Sequence, residues 1–365
     1  MMVYVHIPFC LSKCAYCDFN SYAGAGALLP AYLEALGREM ENWRRCAQHE
    51  PVSSVYIGGG TPSLLTPAQA GDILEGIKRG FGLQAGAEVT VEINPATWNG
   101  SAMREAVARG ITRLSLGIQS LDDGVLRVLA RPHDAGAARR SLEEALASEA
   151  HSVSVDLIYG VPGQGTAGWE AGLGELLDMG IPHISAYALT VEENTPLASR
   201  LARGELQLPA EEETASMYLE TCEILKARGY RHYEISNFAL TGHTCRHNEG
   251  YWERRPYLGI GAGAHSFAGG LRWWAPEGLK EYIRGMREGK AHYGVEILDS
   301  STAHSEEIML GLRTDRGVPR TAIAIKPETF RTWAQEGLLR RTEERLALTD
   351  KGMLLSNELI STLMP

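Results

Sequence analysis

The chain has 365 residues, of which 44% are hydrophobic, so it is long enough for about two domains with ordinary apolar cores. Its formal net charge of −10 argues against a protein whose main task is to bind nucleic acid or an anionic membrane surface. No apolar run reaches the roughly 20 residues of a membrane-spanning helix, and the first residues show no signal-peptide pattern. We therefore expect a cytoplasmic protein that is not transmembrane.

Strand and helix patterns alternate through the first half of the chain. The strand-like segments are 3–7, 54–60, 88–95, 113–120, 152–160 and 183–189. Helical segments lie between them, at 28–46, 67–79, 101–109, 135–148 and 169–179. Because no hairpin turn joins the strands, the pattern predicts an α/β fold with a parallel sheet and right-handed crossovers. Six units are too few for a closed eight-fold barrel, so we expect a partial (β/α)6 TIM-like barrel over residues 1–195.

The alternation fades from about Asn194. Residues 196–298 form a predicted connecting region with a long amphipathic helix at 211–228. Within it, residues 242–270 are rich in glycine, histidine and aromatics, and we expect an irregular functional loop there. Residues 299–365 predict helices around a short hairpin, which is the layout of a winged-helix-like α+β region.

Three of the six cysteines lie together directly after the first predicted strand, as Cys10, Cys14 and Cys17 with the spacing C-x3-C-x2-C. Loops at the carboxyl ends of parallel barrel strands usually carry the chemistry. Three thiolates can hold a [4Fe–4S] cluster and leave one iron open to another molecule. A zinc site completed by His6 is the alternative, but zinc sites favour two short ligand pairs that are well apart in sequence.

These cysteines and their flanks, "YVHIPFC" and "YCDF", followed by "GGGTP" at 58–62, resemble the radical S-adenosylmethionine (SAM) superfamily. Within that superfamily the chain resembles the branch of oxygen-independent coproporphyrinogen III oxidases and HemW haem chaperones. The resemblance covers nearly the whole chain and implies the radical SAM type of partial barrel. It also implies that the open iron of the cluster is chelated by SAM.

The resemblance further implies which positions contact SAM. Each of them stands near the cysteines or near the end of a predicted strand. They are Tyr4, Tyr16, Gly59, Gly60, Thr61, Glu92, Gln119, Arg131, Asp156 and Ala188. Taken singly, glycine turns and helix-capping carboxylates are common structural features, whereas the set together is typical of a cofactor site.

One position departs from the oxidase pattern. The oxidases have a fourth cysteine two residues after the third, and this chain has Phe19 there. The oxidases also carry a longer segment before the motif, whereas Cys10 is preceded here by nine residues. Both differences favour a chaperone without coproporphyrinogen III oxidase activity, and the oxidase or another radical SAM porphyrin enzyme is the alternative.

A second motif, "HNEGYW", resembles the HNxxYW signature by which HemW-type proteins bind haem. It comprises His247, Asn248, Tyr251 and Trp252. A neutral imidazole is a common axial haem ligand, so His247 is the expected iron ligand, with Cys245, His243 and His265 as rivals. Tyr251 and Trp252 offer flat apolar surface to a porphyrin. We expect this segment to lie beside the open side of the barrel, near the cluster.

The resemblance thus implies a haem chaperone that passes haem to acceptor proteins, respiratory membrane subunits among them. A third hypothesis is that the protein binds DNA through the winged-helix-like C-terminal tail. Residues 301–365 carry nine Lys/Arg and nine Asp/Glu, so the tail has no net charge with which to attract phosphate. We expect the tail to be a packing or docking region.

Overall fold

The computed structural model describes residues 1–46, 50–323 and 325–363. Within these ranges one mixed sheet of twelve strands forms the centre of the molecule. The strands are β1 (Met2–Ile7), β2 (Val52–Gly59), β3 (Leu83–Ile93), β4 (Arg113–Gln119), β5 (Ser152–Tyr159), β6 (His183–Ala188), β7 (Arg231–Glu234), β8 (Asn237–Ala239), β9 (Tyr257–Ile260), β10 (His265–Ala268), β11 (Leu271–Trp274) and β12 (Gly294–Ile297).

Strands β1 to β6 lie side by side in chain order, and every neighbouring pair is parallel. The strand order along the whole sheet is β12-β11-β10-β9-β1-β2-β3-β4-β5-β6-β8-β7. All six predicted strand segments are therefore confirmed, as is the α/β class. Because helices cover such a sheet, its strands read as continuous apolar runs, and Val3, Val55 and Val155 are each fully buried.

A seventh parallel strand corrects the expectation for residues 242–270. The segment β9 pairs in parallel with the free side of β1, with Tyr4 opposite Gly259. Strands β10, β11 and β12 then extend this edge in antiparallel fashion. Gly259 is required within β9, where the start of β10 lies against it, because a methyl group there would lie 2.0 Å from the carbonyl oxygen of His265. The region is thus a helix and two strands rather than an irregular loop.

Helices connect the parallel strands and cover the sheet. Those before β7 are α1 (Leu29–Cys46), α2 (Pro67–Phe81), α3 (Gly100–Ala108), α4 (Asp123–Val128), α5 (Ala135–Leu146), α6 (Thr166–Asp178), α7 (Pro196–Ala202) and α8 (Glu211–Ala227). In α2, Thr66 and Gln69 form a capping box, and the face carrying Ile73, Leu74 and Ile77 is buried. The helices that follow are α9 (Arg246–Trp252) and α10 (Leu279–Glu288).

The C-terminal region has the predicted winged-helix-like layout. Its helices are α11 (Ser300–Leu312), α12 (Pro327–Gln335), α13 (Asp350–Leu354) and α14 (Ser356–Leu363). They surround a small antiparallel sheet of Val318–Pro319, Leu339–Arg341 and Arg345–Leu348. The boundary at residue 299 stays a prediction. Among the described residues, no helix has the length and hydrophobicity to cross a membrane.

Candidate functional site

The three clustered cysteines occupy a loop at the carboxyl end of β1. Cys10 ends a two-residue strand that pairs with Tyr22–Ala23, and this pairing holds the base of the loop. The N–H of Cys17 donates to the carbonyl oxygen of Cys14 at 3.3 Å. Cys14 is buried, whereas Cys10 and Cys17 are half-buried. The sequence therefore places three thiols on one short, braced loop that faces the end of the sheet.

The glycine segment at the end of β2 lies directly against this loop. The N–H of Gly60 donates to the carbonyl oxygen of Ile7 at 2.9 Å, and the N–H of Thr61 donates to that of Phe9 at 2.8 Å. A methyl group on Gly60 would lie 2.9 Å from Cys10 Sγ and 2.7 Å from the Phe9 carbonyl oxygen. Glycine is thus what allows the two backbones to meet beside a thiol.

Arg131 brings a positive charge to the same place. Its Nη1 donates to Cys14 Sγ at 3.2 Å, and its Nη2 donates to Asn94 Oδ1 at 2.9 Å and to the Gly117 carbonyl oxygen at 2.8 Å. A guanidinium fixed by Asn94 and Gly117, at two neighbouring strand ends, thus sets a positive charge beside the Cys14 sulfur. Asn94, which the sequence analysis missed, also donates to Thr61 at 3.0 Å and so joins β3 to the glycine segment.

The spacing of the thiols fits a cluster better than a single ion. A tetrahedral zinc with Zn–S bonds of about 2.3 Å would bring its sulfurs to about 3.8 Å from one another. In the part of the chain that the structure describes, one group of three His, Cys, Asp or Glu ligand atoms is mutually within 4.8 Å, and it does not include these cysteines. His6, the proposed fourth zinc ligand, already has Tyr4 at 2.9 Å from Nδ1 and the Asn20 carbonyl oxygen at 2.9 Å from Nε2.

Two carboxylates stand on the strands beside the cysteine loop. Glu92 accepts hydrogen bonds from the Tyr56 hydroxyl at 2.9 Å and from the Gly59 N–H at 3.0 Å. Burial, together with repulsion from Asp156, raises the pKa of Glu92 to about 7. Burial also raises the pKa of Asp156, whose Oδ2 accepts from the Ser115 hydroxyl at 3.3 Å. Glu92 can therefore exchange a proton near neutral pH, and both carboxyl groups lie where a cationic ligand could pair with them.

These residues line one cavity of about 550 Å³ at the carboxyl end of the sheet. The structure brings together almost the whole predicted cluster and SAM set there. The lining includes Cys10, Cys14, Tyr16, Cys17, Gly59, Gly60, Thr61, Glu92, Gln119, Arg131, Asp156 and Ala188. Phe19, whose side chain is 64% exposed, lies at its mouth.

Gln119 gives a test of whether a polar ligand fits. It is buried with a positive φ of 63°, and its Oε1 has no hydrogen-bond partner among the described residues. A strained residue with an unsatisfied buried acceptor, on the wall of a large cavity, is typical of a ligand site. The three thiols and this acceptor together fit an iron–sulfur cluster and a polar organic cofactor.

Tyr4 does not lie with the other members of the predicted SAM set. Its side chain lines a second cavity of about 220 Å³ in the barrel interior, together with Tyr56 and His247. Tyr56 and Asp156 line both cavities, so the two are adjacent. Strand alternation could have identified Tyr56, because it shares a face of β2 with Ser54 and Gly58.

The HNEGYW motif forms the helix α9, and Glu88 on β3 explains why. Its carboxylate accepts from the N–H groups of Arg246 at 3.2 Å and His247 at 2.9 Å, which satisfies the free donors of the helix amino terminus. The cap comes from a residue far away in sequence, so local patterning could not predict it.

His247 is 1% exposed, and both of its ring nitrogens have protein partners. Ser54 Oγ lies 2.9 Å from Nδ1, and the Tyr251 hydroxyl lies 3.0 Å from Nε2. Burial lowers the pKa of His247 to about 3, so the imidazole is neutral at physiological pH. Asn248 donates to Glu234 at 3.3 Å, and Trp252 is half-buried.

The motif lies at the opposite end of the sheet from the cysteines, which corrects the expected placement. His247 contacts Ser54, near the start of β2, whereas the cysteine loop contacts Gly60 just beyond its end. Gly59 is five residue steps along the strand from Ser54, a distance of about 16 Å at about 3.3 Å per step. The two motifs are therefore connected through the barrel interior rather than side by side.

The rival ligands differ in accessibility. Cys245 is buried beside Glu88, and burial raises the pKa of its thiol to about 12. The His243 ring stacks on that of His151, while His265 is exposed and stacks on Trp274. Of the three rivals, only Cys245 lines the same cavity as His247 in the described part of the structure.

Comparison with known proteins decides the family. The model of the radical SAM superfamily matches residues 4–171. The chain is 38% identical to the heme chaperone HemW of Mycobacterium tuberculosis, over 99% of this chain and 94% of that protein. It is 33% identical to heme chaperone HemW of Bacillus subtilis, over 99% and 98% of the two chains. The chain belongs to the HemW family of radical SAM proteins.

Relatives outside bacteria and a solved structure agree with this assignment. The mitochondrial radical S-adenosyl methionine domain-containing protein 1 of Danio rerio is 38% identical over 87% of this chain and 73% of that protein. Coproporphyrinogen III oxidase (HemN) from Escherichia coli superposes with a TM-score of 0.83 at 22% identity, covering 99% of this chain and 89% of that one. This likeness confirms the radical SAM type of fold. Membership of the HemW family means that a [4Fe–4S] cluster and SAM are the cofactors of this fold.

Proposed function

We propose that this HemW-family chain is a haem chaperone that binds haem, carries one [4Fe–4S] cluster with SAM, and transfers haem to acceptor proteins. The observation that carries the proposal is near full-length identity of 33–38% to proteins named heme chaperone HemW. The HNEGYW helix supports it with a neutral histidine and two aromatic side chains on one short element.

His247 is the proposed axial ligand of the haem iron. Its neutral imidazole has the protonation state that iron ligation needs. Since Nε2 faces the Tyr251 hydroxyl, ligation at Nε2 requires that this hydroxyl move away and that α9 open toward the porphyrin. Tyr251 and Trp252 would then cover the porphyrin face, and Asn248 would exchange its contact with Glu234 for a haem propionate.

Cys10, Cys14 and Cys17 are the proposed cluster ligands. When bound, the cluster supplies a reducible centre with an iron that is open to SAM. The residues around it have separable tasks. Gly59, Gly60 and Thr61 present backbone to the cofactor, Glu92 and Asp156 pair with its cationic and hydroxyl groups, and Arg131 holds the Cys14 loop. Tyr16, Gln119 and Ala188 complete the wall, and Tyr4 supports it from the interior through His6.

The coproporphyrinogen oxidase alternative has less support. The likeness to the Escherichia coli oxidase is a likeness of fold at 22% identity. Phe19, at the position of the fourth cysteine, offers neither a metal ligand nor a proton. We therefore propose that the chain has no such activity.

Anaerobic reconstitution with iron and sulfide, followed by haem titration with and without SAM, tests the proposal. His247→Ala should weaken haem binding by roughly 100-fold, since even changes around a metal ligand cost 10 to 100-fold, while iron and sulfide content stays unchanged. Ser54→Ala is the matched comparison: it removes the Nδ1 contact but keeps the ligand, so its loss of haem affinity should be smaller than that of His247→Ala. Equal affinity and an unshifted Soret band in His247→Ala would place the ligand elsewhere, with Cys245 next.

Respiratory haem proteins are the proposed acceptors, and the cytoplasm is the proposed compartment. Haem transfer is measured by mixing the haem-loaded protein with an apo respiratory haem protein and following the acceptor's Soret band. Transfer should be faster than dissociation of haem into a scavenging apo-globin. Equal rates to both would mean passive release, and the chaperone proposal would fail.

A further inference from the structure

Three side chains with metal-binding atoms converge where α8, β7 and α13 meet, away from both cavities described above. They are Cys222 on α8, His232 on β7 and Asp350 at the start of α13. Nδ1 of His232 lies 2.9 Å from Oδ1 of Asp350 and 3.9 Å from Sγ of Cys222. Within the described ranges this is the one trio of His, Cys, Asp or Glu whose ligand atoms all lie within 4.8 Å of one another.

We propose that Cys222, His232 and Asp350 bind one Zn²⁺ ion. Thiolate, imidazole and carboxylate are the three ligand types that zinc prefers. Tetrahedral bonds of about 2.3 Å to sulfur and about 2.0 Å to nitrogen place those two ligand atoms about 3.5 Å apart. The separation of 3.9 Å therefore needs a shift of only a few tenths of an ångström. The fourth position is open to water on the side of Asp350, the most exposed of the three.

His232 is already oriented as a metal ligand. Its Nε2 lies 3.3 Å from the carbonyl oxygen of Ile235, so Nε2–H donates there and Nδ1 points at the other two ligands. The ring stacks on Phe238 with centroids 4.2 Å apart and an interplanar angle of 13°. A backbone carbonyl on the far nitrogen is the arrangement that fixes the tautomer of metal-binding histidines.

A simple ion pair between protonated His232 and Asp350 is the competing explanation. It accounts for the 2.9 Å contact but assigns no role to Cys222. Burial raises the pKa of the Cys222 thiol to about 12, so the group is a neutral thiol in the absence of a metal. Zinc would displace the thiol proton to solvent as the Zn–S bond forms. The pKa of Asp350 is lowered first by its hydrogen bond with His232, and the positive charges of Lys226 and Arg340 lower it further.

The site would fasten the C-terminal region to the sheet. Asp350 begins α13, and α13 packs on α8. His232 lies on β7, the edge strand next to β8. One zinc ion would therefore link three elements that join the winged-helix-like region to the barrel.

The experiment uses the full chain with Cys10→Ser, Cys14→Ser and Cys17→Ser, so that the cluster thiols do not compete for metal. Zn²⁺ is titrated against a chromophoric chelator, and Co²⁺ serves as the spectroscopic probe. We expect one zinc per chain and a thiolate-to-cobalt charge-transfer band. Cys222→Ala should remove the band and weaken zinc binding by roughly 100-fold. Asp350→Asn should weaken binding and retain the band.

Cys245→Ala is the matched control, since it removes another buried thiol and should leave the zinc affinity and the cobalt band unchanged. The proposal is wrong if the chain with Cys222 intact gives no thiolate band, or if Cys222→Ala binds zinc as tightly as its parent. Binding of several zinc ions without the band means adventitious surface binding and likewise overturns it. If Cys222→Ala does not fold, the proposal is tested by the other two results: the parent should show the thiolate-to-cobalt band, and Asp350→Asn should bind zinc more weakly than the parent.

Discussion

Nε2 of His247 lies 3.0 Å from the hydroxyl oxygen of Tyr251, one turn later on the same helix. Both residues belong to the motif that we propose binds haem, and here they are bound to each other. In this closed arrangement the phenol occupies the position that a metal would take on the imidazole. If His247 is the haem ligand, as we propose, haem has to compete with this hydrogen bond inside the protein.

Tyr251→Phe tests this competition. The substitution keeps the ring and removes the hydroxyl, which frees Nε2. A net hydrogen bond contributes about 1 kcal/mol, so haem affinity should rise by about fivefold. Haem titration of the reconstituted protein measures this affinity. Tyr257→Phe is the control, because its ring packs on Tyr251 while the hydroxyl that faces His247 Nε2 belongs to Tyr251. Weaker binding in Tyr251→Phe alone would mean that the hydroxyl contacts the haem directly.

The barrel was largely predictable from sequence, because its six strands are apolar runs at regular spacing. The seventh parallel strand was not. It has four residues between a proline and a glycine, and it is defined by pairing with β1, more than 250 positions earlier. The same holds for α9, whose amino terminus is capped by Glu88. Contacts of such sequence separation leave no local pattern.

The candidate site likewise has a part that could be predicted from sequence and a part that depends on the fold. The cysteine motif and the glycine segment are local, so their residues could be named from sequence, and the structure places them in one cavity. Arg131 contacts Asn94 and Cys14, which are far from it in sequence. These contacts could therefore not be predicted without the fold. The distance between the haem motif and the cysteines also depended on register, and there the sequence-based expectation was wrong.

Replacement of Cys10, Cys14 or Cys17 by Ala should each abolish the reconstituted cluster. Three thiolates are the fewest that hold a cube with one open iron, so loss of any one removes an essential ligand. Iron and sulfide analysis with the visible absorption spectrum measures the outcome. Cys222→Ala and Cys245→Ala are the controls and should retain full cluster content. If either control lost the cluster equally, the ligand assignment would be wrong.

Gly60→Ala should also reduce cluster content, although it removes no ligand. The added methyl would lie 2.9 Å from Cys10 Sγ and 2.7 Å from the Phe9 carbonyl oxygen, so the loop must shift. Such overpacking costs about 1–3 kcal/mol. Gly80→Ala in α2 is the control, because the nearest atom to its new methyl is 3.9 Å away. Iron content and thermal unfolding of both variants check this, and equal behaviour would show that the loop yields freely.

Supplied with SAM, a reductant and coproporphyrinogen III, the protein should form no protoporphyrinogen. The physical reason is Phe19, an exposed apolar side chain at the mouth of the cavity. Chromatography of the porphyrins after oxidation measures the product, with an oxygen-independent coproporphyrinogen III oxidase as the positive control. Turnover of roughly 1 per second or more, as in ordinary enzymes, would establish the oxidase function instead. Slow cleavage of SAM without formation of protoporphyrinogen would not establish an oxidase function.

Glu92 predicts a pH dependence of stability in the cluster-free protein. Its pKa is raised from 4.5 to about 7 in the folded state, so the folded protein holds this proton more tightly than the unfolded chain does. The stabilising contribution is therefore fully present below pH 4.5 and is lost as the pH rises to about 7. Glu92→Gln mimics the protonated form and lacks this dependence. The free energy of unfolding of wild type relative to Glu92→Gln should thus fall across that range, as measured by urea unfolding at several pH values.

Glu212→Gln, on the exposed face of α8, is the control, and its free energy of unfolding should follow that of wild type at every pH. A difference between wild type and Glu92→Gln that stays constant with pH would mean that the Tyr56 and Gly59 hydrogen bonds keep the carboxylate ionised despite its burial.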